Sequence, residues 1–210
     1  MNTSENYIIT IGRELGSGGR SIGRILAGKL GINFYDKILV EMLVKEFDLH
    51  VEEIEKIKAR KKNWWSEICQ KIAPAPTIDY SERISEMITT DEIYKAETKI
   101  LKEICENEPC VIAGRSGFFI FKNHPNKLSI FIRASREHRI KRVMERQHLS
   151  EKEAIATIER VDKGRENYTM RYTGVSRYDA RNYDLVLNVD NLSDEAAADC
   201  IIDFINKNGK

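Results

Sequence analysis

Short apolar runs alternate with longer amphipathic segments along most of the chain. Residues 7–11 (YIITI) form a β-branched run that predicts a strand, and the apolar positions of residues 22–30 then follow helical spacing up to Gly31. A brief extended piece is predicted at residues 33–37 (NFYDK), before a second helical segment at residues 38–47. The chain is therefore predicted to begin with a strand, a glycine-rich turn, a helix and a second strand.

The pattern weakens in the middle of the chain before it becomes regular again. A charged helix is predicted over residues 51–62, whereas residues 63–85 contain a tryptophan pair and an APAP stretch, which are typical of a loop-rich insertion. A long amphipathic helix, with Thr90 or Asp91 as its N-cap, then leads into an apolar strand at residues 110–113 (CVIA). The middle of the chain is therefore predicted to be an insertion between two regular parts.

The second half of the chain continues with two strands and three helices. The strands are predicted at residues 127–132 (KLSIFI) and 184–189 (DLVLNV). Between them one helix begins at Arg136, and after a break another begins at Ser150 with the sequence SEKEA. Ser193 is predicted to cap a closing helix. The residues expected on its inward face are Ala196, Ala197, Ile201, Ile202 and Ile205.

This alternation of apolar strands with helices determines the predicted fold class. Chains of this kind form a parallel sheet covered on both faces by helices, and they bind ligands beyond the carboxyl ends of the strands. With 210 residues, 41% hydrophobic and 32% charged, the chain suits one domain of ordinary size. We therefore expect a three-layer α/β fold over residues 1–210, with an inserted helical region at residues 37–90.

Composition narrows the partners that the chain is expected to have. The formal net charge is +1, so no overall attraction to nucleic acid or to an anionic membrane is expected. No apolar run reaches the roughly 20 residues of a membrane-spanning helix, and the first residues carry no signal-peptide pattern. The four cysteines lack CxxC spacing, and the four histidines lack metal-ligand spacing. We expect a cytoplasmic monomer or homodimer without a structural metal.

A glycine-rich segment, residues 12–21 (GRELGSGGRS), lies between the first predicted strand and the first predicted helix. Glycines at such a junction let backbone N–H groups converge on an anion at the start of the helix. Four glycines within eight residues are costly for a turn without a ligand, so phosphate binding is favoured over a purely structural turn. The positions expected to contact the phosphates are Gly12, Gly16, Ser17, Gly18, Gly19, Arg20 and Ser21.

The loop departs from the Walker pattern G-x-x-x-x-G-K-[ST], whose lysine reaches the β- and γ-phosphates and whose hydroxyl holds magnesium. Without a gap, Gly18 matches the second glycine and Gly19 the lysine, while Arg13 and Arg20 stand at the first glycine and the hydroxyl residue. A shifted register would pair Arg20 with the lysine and Ser21 with the hydroxyl, but it requires a longer loop. Because a guanidinium can also clamp phosphate, Arg13 and Arg20 are candidate substitutes for the lysine, the alternative being ordinary surface charges.

Several separate segments of the chain carry a further pattern. They are ITIGRELGSGGRSIGRILAGKLG, FYDK, CVIAGRSG, IFIRASREHRIKRVMER, RVDKGRENYTMRYTG and YDLVLNV. Together these segments resemble the cytidylate kinase-like family, which belongs to the P-loop nucleoside monophosphate kinases. The resemblance extends from about Tyr7 to Ile205 and is weakest at residues 63–85.

The resemblance implies a P-loop kinase fold and an activity. Members of this family bind ATP with Mg²⁺ at the first loop, accept a nucleoside monophosphate across a cleft and close an arginine-bearing lid over both. The implied reaction is ATP-dependent phosphoryl transfer to a nucleoside monophosphate, with CMP or dCMP as the expected acceptor. Such transfer depends on in-line alignment, neutralisation of negative charge and exclusion of water. Residues 37–90 would then lie on the acceptor side, and residues 136–180 would form the lid.

The resemblance also implies roles for individual residues outside the loop. Asp36 and Arg115, each at a predicted strand end, fall where the family contacts the acceptor. The alternatives are an N-cap for Asp36 and a structural salt bridge for Arg115. Arg139 and Arg142 fall near the adenine and the lid hinge, on a basic helix stripe of which most is expected to be a solvated face.

Three arginines lie in the segment that matches the lid of the family. Arg160 and Arg165 are expected to act in catalysis together with Arg13 and Arg20, and Arg171 is expected to contact the substrate. A lid that brings positive charge over the phosphates couples substrate binding to stabilisation of the transition state. The alternative for all three is a basic surface helix with mixed local charge.

Two other functions remain open from the sequence. A nucleotide- or phosphate-binding module that kept the fold and lost phosphoryl transfer is indicated by Gly19, which stands where the lysine is expected. A kinase of another small phosphoacceptor is indicated by residues 63–85, which depart from the family pattern and would reshape the acceptor pocket.

Overall fold

The computed structural model describes residues 1–36 and 91–208. The chain divides into two compact units. The larger unit comprises Met1–Asp36 together with Glu108–Lys210, and the smaller unit comprises Lys37–Asn107.

The described part of the smaller unit is one long helix, Asp91–Asn107. Its bounds agree with the amphipathic helix that the sequence predicts after Thr90. The helices predicted at residues 38–47 and 51–62, and the loop-rich insertion at residues 63–85, lie outside the described residues.

The larger unit contains a five-stranded parallel sheet. In chain order its strands are β1 Ile8–Arg13, β2 Asn33–Asp36, β3 Cys110–Ala113, β4 Lys127–Arg133 and β5 Leu185–Asn188. Their spatial order is β2-β3-β1-β4-β5, so β1 is central. Strands β1, β3 and β4 are almost wholly buried, as their unbroken apolar runs predict for a sheet covered on both faces.

The helices alternate with the strands along the chain. They are α1 Gly19–Leu30, α2 Asp91–Asn107, α3 Gly117–Ile120, α4 Arg136–Gln147, α5 Glu151–Thr173 and α6 Asp194–Asn208, with a 3₁₀ turn at Ala180–Asn182. The predicted α/β class is therefore confirmed. The sequence did not indicate α3 or the 3₁₀ turn, because neither is long enough to show helical periodicity. In the described ranges, no helix combines the length and apolar character needed to cross a membrane.

Helix ends follow local sequence signals. Ser135 and Ser150 cap α4 and α5, and Ser150 forms a capping box with Glu153 in which each side chain bonds the backbone of the other. Helix α1 ends at Gly31, whose φ of 66° is the left-handed conformation that glycine adopts without strain.

The main core lies between the sheet and the helices α1 and α6. Its centre is made of fully buried aliphatic residues, including Ile9, Ile11, Ile22 and Leu26. On α6 the buried residues are Ala197, Ala198, Ile201 and Ile205, whereas the predicted inward residues Ala196 and Ile202 are only partly buried.

The sheet register brings the carboxyl ends of the central strands together. Arg13 at the end of β1 pairs with Ile132 on β4, and Ile11 pairs with Ala113 at the end of β3. From β1 the chain passes to β2 on one side of the sheet and later to β4 and β5 on the other. Parallel sheets bind ligands where the strand order reverses in this way, so the glycine-rich loop after β1 is the expected ligand site.

Candidate functional site

The loop between β1 and α1 presents backbone N–H groups to an anion. Gly16 and Gly18 have φ values of 84° and 79°, which turn the chain tightly before the helix. Gly18 is the N-cap of α1 and has no side chain with which to cap the helix, and the first turn contains no acidic residue. The unbonded N–H groups and the positive end of the helix dipole therefore form an anion site.

Three of the loop glycines are required by close packing. A Cβ at Gly16 would lie 2.7 Å from the carbonyl oxygen of Arg139, and a Cβ at Gly18 would lie 2.8 Å from Cζ of Arg142. A Cβ at Gly12 would lie 2.8 Å from the Phe131 ring. The loop is thus held directly against β4 and α4.

The two serines of the loop have different surroundings. Ser17 is fully buried, and its Oγ donates to the carbonyl of Glu14 at 2.9 Å, which closes the turn. The Ser21 hydroxyl bonds the Asp194 carboxylate at the start of α6. Although burial acts to raise the pKa of Asp194, hydrogen bonds from Arg142 and Ser21 hold that pKa below its ordinary value.

Gly19 leaves room for the side chain of Arg13. A Cβ at Gly19 would lie 2.6 Å from Cβ and 3.0 Å from Cγ of Arg13. The φ of Gly19 is not positive, so the conformation itself does not demand glycine. At the other end of the side chain, a Cβ at Gly114 would overlap Nη1 of Arg13. Arg13 therefore runs from the helix start to the turn after β3.

Arg13 lies among other guanidinium groups. Burial, and then the charges of Arg165 and Arg177, hold the pKa of Arg13 well below its ordinary range, with Asp36 acting in the opposite direction. Burial likewise lowers the pKa of Arg165 to about 10. The carboxyl end of β1 therefore carries an excess of positive charge.

Asp162 joins the glycine loop to α5. Its buried carboxylate accepts the Leu15 N–H at 3.0 Å and an Arg139 Nη1 hydrogen bond at 2.6 Å. The same carboxylate pairs with Arg165 at 3.3 Å and with Arg177 at 3.5 Å. No sequence pattern singled out Asp162, which is one of several acidic residues in a helix of mixed charge.

Arg177 is a second residue of the site that the sequence did not indicate. It is buried, donates from Nη2 to the carbonyl of Arg13, and packs its Cζ 4.9 Å from the ring of Tyr178 and 5.5 Å from that of Phe131. Arg165 also donates to the Arg13 carbonyl, at 3.2 Å. Arg177 lies within the predicted lid region but after the end of α5 at Thr173, and no motif in the sequence singled it out.

Arg20, the other candidate substitute for the lysine, makes an ion pair. Its Nε donates to Oδ2 of Asp36 at 2.7 Å, and the Asp36 residue is only 4% exposed. Arg24 lies 3.8 Å from the same oxygen. Arg20 therefore joins the start of α1 to the end of β2. The alternative role of Asp36, as the N-cap of a helix beginning at Lys37, involves residues outside the described ranges.

The basic stripe of α4 is less exposed than predicted. Side chains of Arg139 and Arg142 are only 14% and 19% exposed, whereas Arg146 is 56% exposed. Arg142 pairs with Asp194 at 2.5 Å and Arg139 with Asp162. The expectation of a mainly solvated face is wrong for these two residues, because helix periodicity does not reveal that the phosphate loop packs on them.

Arg115 follows β3 and contacts α5. It is buried, and its Cζ lies 4.6 Å from the centroid of the Tyr168 ring. The hydroxyl of the next residue, Ser116, forms a hydrogen bond of 3.2 Å with the hydroxyl of Thr169. The turn after β3 is therefore joined to α5 by a cation–π contact and a hydroxyl pair.

The other two arginines predicted in the lid are exposed. Arg160 and Arg171 are exposed on α5, and Cζ of Arg171 lies 5.3 Å from the Tyr172 ring. Of the three predicted lid arginines, the structure brings only Arg165 to the loop.

Solved structures with the same architecture include P-loop kinases. One relative, an uncharacterized protein from Eubacterium ventriosum, superposes with a TM-score of 0.70 at 27% identity, covering 95% of this chain and 98% of the other. The shikimate kinase from Bacteroides thetaiotaomicron superposes with a TM-score of 0.52 at 15% identity, covering 95% and 98%. The second likeness concerns the fold alone. The fold and the glycine loop together define a P-loop kinase-like protein.

Sequence comparison narrows the class to a family. The cytidylate kinase of Sulfolobus acidocaldarius is 28% identical over 200 residues, which cover 95% of this chain and 94% of that protein. The profile of the cytidylate kinase-like family matches residues 8–191. The chain therefore belongs to the cytidylate kinase-like family, as its sequence segments indicated.

Proposed function

We propose that this protein transfers a phosphoryl group from ATP to a nucleoside monophosphate, with CMP or dCMP as the acceptor. The observation that carries the proposal is the start of α1, where the unbonded N–H groups of a glycine loop face a cluster of arginines at the carboxyl end of β1. Membership of the cytidylate kinase-like family supports a nucleotide kinase, and the cytidylate kinase relative supports CMP.

The loop residues fit a polyphosphate. Glycines at positions 16 and 18 leave no room for side chains, and Arg13 makes no ion pair with any residue of the described ranges. For Mg²⁺, no group of three or more His, Cys, Asp or Glu residues in the described ranges could hold a metal. The Ser21 hydroxyl is the group that the chain would offer, and phosphate oxygens would complete the coordination.

Each part of the site would have a separate role in transfer. Bound MgATP would supply the phosphoryl group, with Mg²⁺ neutralising charge on the phosphate oxygens. The N–H groups of α1 and the Arg13 guanidinium would bind the donor phosphates, and Arg115 after β3 would bind the acceptor phosphate. Arg165 would add positive charge from α5, which as a lid helix would exclude water. We also propose that Arg20, Arg139 and Arg142 contact the nucleotide, in addition to forming their ion pairs.

A second candidate is a nucleotide-binding protein without transfer activity, which the glycine at position 19 favours. Kinase activity on another small phosphoacceptor stays a third proposal. A cytoplasmic setting also stays a proposal.

Purified protein incubated with MgATP and a panel of monophosphates distinguishes these functions. Formation of ADP and CDP in equal amounts, with little phosphate released to water, is the expected result. ATP binding without any diphosphate product would favour the binding protein. Product from a different phosphorylated acceptor only would replace CMP as the substrate.

A further inference from the structure

We infer that Arg13 and Gly19 form one functional unit, in which the end of β1 supplies the phosphate-binding cation that the Walker pattern supplies from the start of the helix. The inference rests on the proposed function and identifies the residue that replaces the lysine. It also gives Gly19 a definite purpose, which is to leave space for that residue.

Ion pairing separates Arg13 from the other arginines around the loop. Asp36 neutralises Arg20, Asp194 neutralises Arg142, and Asp162 is shared by the remaining arginines of the cluster. Arg13 makes no ion pair with a carboxylate of the described ranges. A partly buried guanidinium without an anionic partner is the group that a phosphate would neutralise.

Hydrogen bonds and strand pairing hold the backbone of Arg13 and so set the direction in which its side chain leaves β1. Its carbonyl accepts hydrogen bonds from both Arg165 and Arg177, and it is paired with β4 through Ile132. From there the side chain passes Gly19 and reaches Gly114 after β3. The guanidinium thus lies between the loop that would hold the donor phosphates and the turn that carries Arg115.

Arg13 and Gly19 exclude alternative residues at each other's positions. Cβ of Arg13 cannot move without the strand, and it lies 2.6 Å from where a Cβ at position 19 would be. A lysine at position 19 is therefore incompatible with a side chain at position 13. Burial and the charges of Arg165, Arg177 and Arg20 all act to lower the pKa of Arg13. A lysine at position 19 would therefore add positive charge to a site that is already positive.

Two substitutions recreate the glycine and the lysine of the ordinary pattern, while Arg20 stays at the hydroxyl position. Arg13→Gly combined with Gly19→Lys gives G-x-x-x-x-G-K from position 13 to position 19. The glycine at position 13 removes the overlap, and the lysine replaces the missing cation. The two changes should therefore each be harmful alone and compensate each other when combined.

The test compares the unaltered protein with Arg13→Gly, Gly19→Lys and the double variant by titration calorimetry with MgATP. Each single variant should bind at least tenfold more weakly, and the double variant should recover most of the loss. Arg13→Gln, which keeps most of the side-chain volume, should also bind weakly. Gly28→Lys is the matched control: it adds a lysine to α1 at an exposed glycine with no atom within 4 Å, and should bind like the unaltered protein.

Thermal unfolding without ligand reports the overlap independently of nucleotide binding. Gly19→Lys should lower Tm, and the double variant should regain it. The inference is overturned if Gly19→Lys alone keeps both Tm and affinity, if Arg13→Gln binds normally, or if the double variant is no better than the weaker single variant.

The same series with inorganic tripolyphosphate separates the two proposals. If the unaltered protein binds tripolyphosphate in the Arg13-dependent manner but forms no diphosphate, the kinase proposal fails and the Arg13–Gly19 inference stands. If it forms CDP while the Arg13 variants remain fully active, the inference fails and the kinase proposal stands. Absence of binding to either polyphosphate by the unaltered protein overturns the inference.

Discussion

At the scale of single residues, Arg115 and Ser116 adopt a backbone conformation that side chains disfavour. Their φ values are 55° and 53°, in the left-handed region. Each such residue costs on the order of 1–3 kcal/mol, and such residues concentrate where a ligand must be met. Together with Gly114, at φ 88°, they turn the chain sharply after β3 and set the direction of the Arg115 guanidinium.

We expect Arg115→Ala to weaken monophosphate binding at least tenfold while MgATP affinity changes little. The reason is that a charge-assisted contact with phosphate contributes about 1.5–3 kcal/mol, and only the acceptor phosphate is expected beyond β3. Separate calorimetric titrations with CMP and MgATP measure the two affinities, and circular dichroism checks the fold. Equal losses for both ligands would contradict the assignment.

At the scale of elements, α5 contacts the turn after β3 through a guanidinium group and aromatic rings. Arg115 lies against Tyr168, and the rings of Tyr168 and Tyr172 meet edge to face with centroids 5.0 Å apart. Arg171 in turn lies against Tyr172. Because the face of an aromatic ring attracts a cation, the contact between Arg115 and Tyr168 connects the turn after β3 with α5.

Tyr168 is therefore expected to position Arg115 for the acceptor. Tyr168→Leu should raise the KM for the monophosphate several-fold, whereas Tyr168→Phe should retain most of the affinity because it keeps the ring face. The KM for ATP serves as the internal control. Steady-state kinetics that show the same loss for Phe and Leu would mean that the ring face does not hold Arg115.

The capping box of α5 predicts a pH-dependent stability. Hydrogen bonds with Ser150 lower the pKa of Glu153, so its ionised form favours the folded state. This contribution is present above the ordinary glutamate pKa of about 4.3 and is lost as the pH falls through the lower folded-state value. Ser150→Ala should accordingly lower Tm at pH 7, and the difference from the unaltered protein should shrink in acid.

Ser193→Ala is the control for that comparison. Its hydroxyl caps α6 through the Ala196 N–H at 3.1 Å, a hydrogen bond in which no titrating carboxylate takes part. Its effect on Tm should change less with pH than that of Ser150→Ala. Parallel pH profiles for the two variants would show that ionisation of Glu153 is not what stabilises the start of α5.

At the scale of the whole molecule, the net charge of +1 conceals a local excess of positive charge. Arg13, Arg165 and Arg177 lie together at the end of β1, and Asp162 is the carboxylate that the last two share. We expect the repulsion among these arginines to destabilise the ligand-free protein and a bound anion to reduce it. Stability and function are therefore expected to oppose each other at this end of the sheet.

Two arginine-to-methionine changes test this opposition in thermal unfolding. Arg13→Met should leave the ligand-free Tm unchanged or higher, because it removes a desolvated, repelled charge, but should abolish most of the Tm increase caused by MgATP. Arg20→Met should lower the ligand-free Tm, since the buried Asp36 loses its 2.7 Å hydrogen bond from Arg20 at a cost of about 1–3 kcal/mol, roughly 2–4 °C per kcal/mol. A similar drop for both variants would argue against a strained cluster.

The sequence alone determined the elements and the class of the site. Apolar periodicity predicted every strand of the sheet and the long helices of the described ranges, because periodicity depends on residues a few positions apart. The spacing of the glycines located the loop and showed that it lacks the lysine of the Walker pattern. Which arginine replaces that lysine stayed open between Arg13 and Arg20.

Only the tertiary structure decided the partners of the charged side chains. Arg177 reaches the carbonyl of Arg13 across 164 positions of sequence, and Arg139 reaches that of Leu15 across 124. Asp162 was not selected from the sequence because its role depends on donors from three other segments. A guanidinium looks the same in sequence whether a carboxylate neutralises it or not, and that distinction depends on chain segments brought together by folding.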